Sequence, residues 1–224
     1  MISVAIFAHN EAKHIRRSIR SITSNLDSSS TSQIVLLANG CSDDTENIVA
    51  DIARTDSRVT LVSIAVGDKC NAWNEYVHNI SEDSEIHYFT DGDCWVKDGS
   101  FDRMSACIRH STTIKTVAGL PFSGRSRTSL TQLVTKHRLV LGNLYAVRGS
   151  HLLTIRKRGI KLPVGLMRND NHITKFMWSN PDFDKFIHKN VIWDDQSGFK
   201  FDSLSPFWPP TLNLCQKACT IQDW

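Results

Sequence analysis

The sequence predicts an α/β fold in which a mostly parallel, twisted β-sheet is flanked by helices. In the first half of the chain, four short apolar runs rich in β-branched residues alternate with segments whose apolar residues recur at the helical period. The chain has 224 residues, 41% of them hydrophobic, which is enough for one full core and short for two. We therefore expect a single domain over residues 1–224, in which the second half adds a small region of mixed strand direction.

The four predicted strands of the first half are joined by helices with one apolar face. The strands are expected at residues 3–7, 34–37, 59–64 and 86–89. Each helix carries a stripe of apolar residues that can cover one face of the sheet. The three stripes are Ile15, Ile19, Ile22 and Leu26; Ile48, Val49 and Ile52; and Trp73, Tyr76, Val77 and Ile80.

The second helix also has a start signal in the sequence. Asp43 stands just before its apolar stripe, and Glu46 follows three residues later. Such a pair can satisfy the free N–H groups of a helix start from both sides. We therefore expect Asp43 to cap this helix and Glu46 to complete a capping box.

The second half has weaker patterns. Strands are predicted at residues 116–118 and 144–147, a helix at 130–140, and further helices on both sides of a loop at Pro163. From Ser197 onward the chain is rich in proline and aromatic residues, which favours an irregular, packed arm over a regular element.

Charge and cysteine usage limit the classes of function. The chain has 26 basic and 23 acidic residues, and a net charge of +3 disfavours nucleic-acid binding. The six cysteines form no paired framework, which indicates a reducing compartment, and Cys215 and Cys219 lack the partners of a zinc site. No run reaches the ~20 apolar residues that cross a bilayer, and the N-terminal apolar run lacks a basic segment before it. We expect a cytoplasmic protein, soluble or peripheral to the inner face of the membrane.

Polar side chains are concentrated just after the predicted strands. The four loops read AHNEA, ANGCSDDT, VGDKCNAWN and TDGDCW. Ligands of open α/β sheets bind at the carboxyl ends of the strands. Carboxylates are ligands for hard divalent cations such as Mg²⁺ and Mn²⁺, so Asp91 and Asp93 are candidates. Asp182 and Asp184 have the same spacing; only the position directly after the fourth strand favours the first pair.

The chain resembles the family 2 glycosyltransferases of the GT-A fold, whose core is a Rossmann-like sheet. The resemblance is carried by VAIFAHNEAKHI, IVLLANGCSDDT, GDKCNAWN and HYFTDGDCWV in this order, followed by LYAVRGS and LMRNDNHITKFM. It implies that residues 1–98 bind a nucleotide diphosphate sugar, UDP- or GDP-linked, with Mn²⁺ or Mg²⁺. Residues 99–224 would then bind the acceptor, a hydroxyl on a saccharide, a lipid-linked saccharide or a small molecule. The oligomeric state stays open.

On the donor side, the resemblance implies roles for seven residues. Ala8 and Glu11 would lie against the base and ribose, while Asn10 shapes the turn or caps the first helix. Asn39 stands where the family more often has an aspartate that reads the base edge, and an amide offers both a donor and an acceptor. The remaining three are Lys69 as a phosphate contact or surface lysine, Asp91 at the ribose and metal shell, and Asp93 as the direct metal ligand.

On the acceptor side, the resemblance points to Asp170 as the general base of an inverting transfer. Asn169 occupies the place of the family's usual glutamate, and a helix cap is the alternative role for Asp170. Tyr145 and Arg148 are expected near the acceptor, although Arg148 could equally pair with an acid within the fold. His188 stands where some members supply a third metal ligand, although a lone histidine is more often structural.

Other interpretations stay open at this stage. A sugar nucleotidyltransferase would need a glycine-rich turn after the first strand, where this chain has AHNEA. A degenerate domain that binds nucleotide without turnover is supported by Asn39 and Asn169, which replace acidic residues of the pattern. The Gln-x-x-Arg-Trp motif of processive members is not found, which favours single addition. The basic stretches at residues 13–20 and 155–161 are predicted to be solvated helix faces, with anionic lipid contact as the alternative.

Overall fold

The computed structural model describes residues 1–26, 32–124, 126–166 and 169–201. From residue 2 to residue 91, strands and helices alternate, as the hydrophobic pattern of the first half predicts. The eight strands are β1 (Ile2–Ala8), β2 (Ser32–Asn39), β3 (Val59–Ile64), β4 (Ile86–Asp91), β5 (Cys94–Val96), β6 (Thr116–Pro121), β7 (Leu144–Arg148) and β8 (Val191–Phe201). The helices are α1 (Ile15–Ser24), α2 (Thr45–Thr55), α3 (Lys69–Glu75), α4 (Ser100–Arg109), α5 (Arg127–His137), α6 (Gly149–Lys157) and α7 (Asn169–Trp178).

All eight strands form one sheet in the order β3-β2-β1-β4-β7-β6-β8-β5. The first four neighbours in this order are parallel, β7 is antiparallel to both β4 and β6, and β8 is parallel to β6 but antiparallel to β5. The fold class predicted from the sequence is therefore confirmed, including the small mixed region in the second half.

The parallel register brings the predicted polar loops to one edge of the sheet. Phe7 of β1 pairs with Asp91 of β4, and Ala8 pairs with Ala38 of β2. Because the neighbouring strands point the same way, the loops after β1, β2 and β4 emerge side by side. β7 runs in the opposite direction, so Leu144 lies at this edge and Arg148 at the other.

Helices cover both faces of the sheet. α1, α2, α4 and α5 pack on one face, and α3, α6 and α7 pack on the other. The predicted stripe of α1 is fully buried, as are Trp73, Tyr76 and Val77 of the third stripe. In the second stripe only Val49 is fully buried, while Ile48 and Ile52 pack at the edge of the core.

Several local predictions need correction. The helix expected at 130–140 begins and ends earlier, at Arg127–His137, and residues 197–201 belong to β8 rather than to an irregular arm. Residues 202–224 lie outside the described part of the chain. There is no capping box at α2. Asp43 instead accepts from the N–H of Thr45 at 3.0 Å, and Glu46 accepts from the hydroxyl of Ser63 at 2.6 Å.

Two further properties concern the length of the helices and the state of the cysteines. Among the described residues, no helix is both long and apolar enough to cross a bilayer. The described cysteines, Cys41, Cys70, Cys94 and Cys107, are free thiols. Cys215 and Cys219 lie outside the described residues.

Candidate active site

A hollow of about 200 Å³ opens at the carboxyl ends of β1, β2 and β4. Six of the seven residues that the sequence assigns to the donor line it. Asn10 is the seventh and lies beside it, in the loop after β1. The lining residues are Phe7, Ala8, His9, Glu11, Asn39, Lys69, Asp91, Gly92 and Asp93.

Asp91 and Asp93 share this hollow because the chain turns tightly against β1. Asp91 is the last residue of β4, and the N–H of Gly92 donates to the carbonyl of Phe7 at 2.7 Å. A Cβ at residue 92 would lie 2.9 Å from the Cβ of Ala8, so only glycine lets the turn approach β1 this closely. The turn then returns as β5, and both carboxylates stay at the strand tips.

The carboxylates of the hollow repel each other. The pKa of Glu11 is raised to about 7, mainly because the side chain is partly buried. The negative charges of Asp93, Asp91 and Asp43 add to this rise, in decreasing order. Burial also raises the pKa of Asp91 to about 6, and the charge of Asp93 adds to this rise although Lys69 opposes it. Negative charge is thus concentrated where bulk water cannot fully screen it.

This donor set fits a hard divalent cation. Carboxylate oxygens are the ligands that Mg²⁺ and Mn²⁺ prefer, and a cation between them would relieve their repulsion. In the described ranges, no three His, Cys, Asp or Glu side chains are grouped closely enough to hold a metal by themselves. Ions of this kind are commonly held by one or two carboxylates together with substrate phosphates, a role that Asp91 and Asp93 can fill.

Lys69, the first residue of α3, connects this hollow to Asp170. Its ammonium forms an ion pair with Asp91, and it also faces the Asp170 carboxylate. Burial alone would lower the pKa of Lys69, but the two carboxylates outweigh it and raise that pKa. Asp170 lies in the first turn of α7, and one of its oxygens accepts from the N–H of Gly142 at 3.1 Å. Burial raises the pKa of Asp170, partly offset by Lys69 and by this hydrogen bond.

The other end of the hollow is built around Asn39. Its side-chain oxygen accepts from the N–H of Asp68 at 2.8 Å, so the amide NH₂ group is what it can offer to a ligand. The Nδ1 atom of His9 lies 2.7 Å from the Asn39 carbonyl, which identifies Nδ1 as the protonated nitrogen. Sequence reasoning overlooked His9, although its place in AHNEA directly after β1 was a usable signal.

Asn10 holds the loops after β1 and β2 together. Its φ of 56° is left-handed, and its side-chain oxygen accepts from the N–H groups of Ser42 at 2.7 Å and Asp43 at 3.2 Å. It therefore shapes the turn, and it does not cap α1, whose N-cap is His14.

Comparison with known proteins decides the family. Residues 3–129, more than half of the chain, match the sequence model described as Glycosyl transferase family 2. The chain belongs to glycosyl transferase family 2. No curated protein sequence gives a significant match.

Solved structures resemble this family 2 chain in fold. The mannosyltransferase PcManGT from Pyrobaculum calidifontis, in complex with GDP-Man and Mn²⁺, is 17% identical with a TM-score of 0.72; the match covers 96% of this chain and 60% of that one. Glucosyl-3-phosphoglycerate synthase from Mycobacterium tuberculosis, with Mn²⁺ and UDP-Glc, is 19% identical with a TM-score of 0.66, covering 97% of this chain and 75% of that one. S. aureus TarS 1-349 with UDP-GlcNAc is 12% identical with a TM-score of 0.67, covering 97% and 64%.

In this family 2 chain, Tyr145 is a core residue rather than an acceptor contact. It is 1% exposed and stacks on Phe89 with ring centroids 4.7 Å apart. Its hydroxyl accepts from the indole N–H of Trp73 at 3.0 Å. Side chains alternate between the two faces of a strand, and residue 145 points into the layer under α3 and α7.

Arg148 and His188 also lie away from the hollow. Arg148 is at the opposite edge of the sheet, where its guanidinium donates to the carbonyls of Ile108, Ser111 and Ile114 around the end of α4. His188 stacks on Trp178 with centroids 4.2 Å apart, in a separate hollow beside the C-terminal end of α7. Asn169 begins α7, and its side chain lies outside the described part of the structure.

Proposed function

We propose that this chain transfers a glycosyl group from a nucleotide diphosphate sugar, UDP- or GDP-linked, to a hydroxyl acceptor, using Mn²⁺ or Mg²⁺. The observation that supports it most is the juxtaposition of Asp91, Asp93 and Lys69 at the strand tips, with Asp170 facing the same ammonium. The proposed donor site therefore lies next to a carboxylate that could act as the base. The nucleotide sugars and Mn²⁺ bound to PcManGT and to the mycobacterial synthase agree with this proposal.

The donor would span the hollow from base to diphosphate. In this arrangement His9 and the NH₂ group of Asn39, which line one end of the hollow, would meet the base, and Glu11 would meet the ribose. Asp91 and Asp93 would hold the cation, which neutralises charge on the leaving diphosphate. The Lys69 ammonium is close enough to compensate the same charge, since it already pairs with Asp91.

Transfer then requires removal of a proton from the acceptor. The Asp170 carboxylate takes that proton while the acceptor oxygen attacks the anomeric carbon and the bond from that carbon to the diphosphate oxygen breaks. Attack from the side opposite the leaving group inverts the anomeric configuration.

Calorimetry and transfer assays with two variants test this division of labour. The probes are UDP-glucose and GDP-mannose with Mn²⁺. Asp93→Ala should abolish Mn²⁺-dependent donor binding, whereas Asp170→Asn should bind donor within threefold of wild type and lose at least 100-fold in kcat. General-base catalysis is typically worth about 10²–10⁴ in rate.

Asp182→Ala is the matched control, because Asp182 belongs to the second Asp-x-Asp pair and contributes only to an exposed ion pair with Arg158. It should leave binding and transfer unchanged. Equal loss of donor binding in Asp93→Ala and Asp170→Asn would contradict the assignment. Donor binding by the wild type without transfer to any hydroxyl acceptor would instead favour the degenerate, nucleotide-binding role.

A further inference from the structure

Gly142 lies where the side chains of Lys69 and Asp170 meet. It is buried in the turn before β7, and its N–H donates to the Asp170 carboxylate at 3.1 Å. A Cβ built on residue 142 would lie 2.7 Å from the Lys69 ammonium nitrogen and 2.8 Å from an Asp170 oxygen. Contacts this short are not tolerated by real side chains, so even a methyl group would force one or both charged groups to move.

The backbone conformation gives no other reason for glycine at this position. Gly142 is not among the glycines with positive φ, which are Gly40, Gly99, Gly124, Gly159 and Gly165. An L-residue could therefore adopt its backbone angles without the strain of the left-handed region. What residue 142 requires is empty space, and that space is bounded by the two charged groups at the centre of the site.

We propose that Gly142 is a positioning residue for the base of the proposed transfer, acting through Asp170. Its N–H fixes one carboxylate oxygen, and its missing side chain keeps Asp170 and Lys69 facing each other. This inference rests on the proposed function, because it gives Gly142 a role only if Asp170 takes the acceptor proton. It also explains how the donor carboxylate Asp91 and the base can share one ammonium.

Gly142→Ala tests the proposal, with Gly67→Ala as the matched control. Residue 67 also has ordinary φ, and an added Cβ there meets only ordinary contacts, the nearest being His9 Cε1 at 3.4 Å. Gly142→Ala should lower kcat at least tenfold with Mn²⁺ and donor saturating, since Asp170 is displaced. Gly67→Ala should keep kcat within threefold under the same saturating conditions, and any effect of its methyl group beside His9 and Asn39 should appear in the donor KM. Thermal unfolding of both variants should stay close to wild type, because the groups that must yield at residue 142 are the ends of side chains.

A double-mutant cycle separates this role from a general structural one. If Gly142 acts mainly through Asp170, Gly142→Ala should cause a much smaller loss of residual transfer in an Asp170→Asn background than in the wild type, since displacement of Lys69 is the effect that remains. An equal loss in both backgrounds, or a kcat within threefold of wild type in the single variant, would overturn the proposal. Full activity of Asp170→Asn would instead reject the base assignment on which it rests.

A second comparison covers the case in which Gly142→Ala does not fold. Lys69→Ala removes the ammonium that the new methyl group would meet, and so removes one of the two close contacts. Lys69→Ala/Gly142→Ala should then fold and show at least fivefold lower kcat than Lys69→Ala, because the contact with Asp170 persists. Equal kcat for the two would refute the positioning role.

Discussion

At the scale of single residues, the hollow combines more negative than positive charge. Glu11, Asp91 and Asp93 lie together, and Lys69 is the cation among the lining residues. Two of these carboxyls have a raised pKa because burial and mutual repulsion both disfavour their charged forms. A diphosphate alone would add to that repulsion, which agrees with the proposal that the donor binds together with a divalent cation.

Arg148 shows how a residue in a functional motif can have a structural role. The sequence LYAVRGS suggested an acceptor contact, but the guanidinium donates to three carbonyls around the end of α4. Arg148→Lys should lower the free energy of unfolding by about 1–3 kcal/mol, since a single ammonium cannot reproduce this fork of donors and leaves partly buried carbonyls without a donor. Urea denaturation measures this loss.

The same variant should leave the kinetic constants for donor and acceptor within twofold of wild type. Arg109→Lys is a suitable control. Arg109 is the last residue of α4, the helix whose end Arg148 contacts, and it forms an exposed ion pair with Glu85. Its effect on unfolding should stay within about 0.5 kcal/mol. A rise in acceptor KM for Arg148→Lys without loss of stability would restore the assignment made from the sequence.

At the scale of elements, the Asn74 side chain connects α3 to the segment after α6 through two hydrogen bonds. Its amide accepts from the N–H of Leu162 at 2.8 Å and donates to the carbonyl of Leu162 at 2.9 Å. The side chain is 7% exposed. Lys69 stands at the start of the same helix, and Leu162 lies eight residues before Asp170 in the sequence. We therefore expect this bidentate contact to influence the distance between Lys69 and Asp170, the proposed base.

Asn74→Asp should therefore destabilise the fold and weaken the site. A carboxylate cannot donate to the Leu162 carbonyl, and its charge would be buried with the Leu162 N–H as a partner but no cation, which costs about 2–4 kcal/mol. Chemical denaturation gives this value, and kcat measured well below the unfolding midpoint should also fall. Asn79→Asp, at an exposed position on the following helical turn, should change stability by less than about 0.5 kcal/mol. Similar effects for both substitutions would argue against this connecting role.

The elements also show where sequence reasoning succeeds. The stripes Ile15–Ile19–Ile22 and Trp73–Tyr76–Val77 are local patterns at the helical period, and they identify α1 and the helical segment that begins with α3. By contrast, β5 has three residues, and its pairing with β8 joins Cys94 to Phe201 across the whole second half. Nothing local in either segment specifies that pairing.

The same contrast between local patterns and long-range contacts applies to the residues of the site. Asp91 and Asp93 could be found because parallel strands bring their tips together by a general rule. Tyr145 could not be placed from the sequence, because the face on which a strand residue points depends on a register set by distant partners. The need for empty space at Gly142 could not be predicted from the sequence either. It arises because Lys69 from one half of the chain and Asp170 from the other meet beside residue 142.

At the scale of the whole molecule, the two faces of the sheet differ in their buried polar groups. On the face covered by α3, α6 and α7, two buried histidines are held neutral. Burial lowers the pKa of His87 to about 4, and Arg156 adds to the shift. Burial likewise lowers the pKa of His151 to about 4, with Lys115 adding to it. His87 contacts the Tyr76 hydroxyl at 2.9 Å, and Nε2 of His151 donates to the Phe176 carbonyl at 3.0 Å.

These histidines should make the fold sensitive to acid. An unfolded histidine titrates near pH 6.5, so between about pH 6.5 and 4 the unfolded chain binds more protons than the folded one. The contribution of these neutral histidines to the free energy of unfolding is thus complete above about pH 6.5. It is lost as the pH falls toward 4, by up to about 3 kcal/mol for each histidine. Glu11 and Asp91, whose pKa values are raised, act in the opposite direction over part of this range.

The contribution of one histidine is therefore measured as a difference between variants. His87→Gln should be less stable than wild type at pH 7 and show a smaller loss of unfolding free energy between pH 7 and 4.5, whereas the exposed His137→Gln should follow the wild-type curve. Parallel curves for wild type and His87→Gln would mean that the pKa of His87 is the same in the folded and the unfolded chain, so that burial does not hold its ring neutral below pH 6.5.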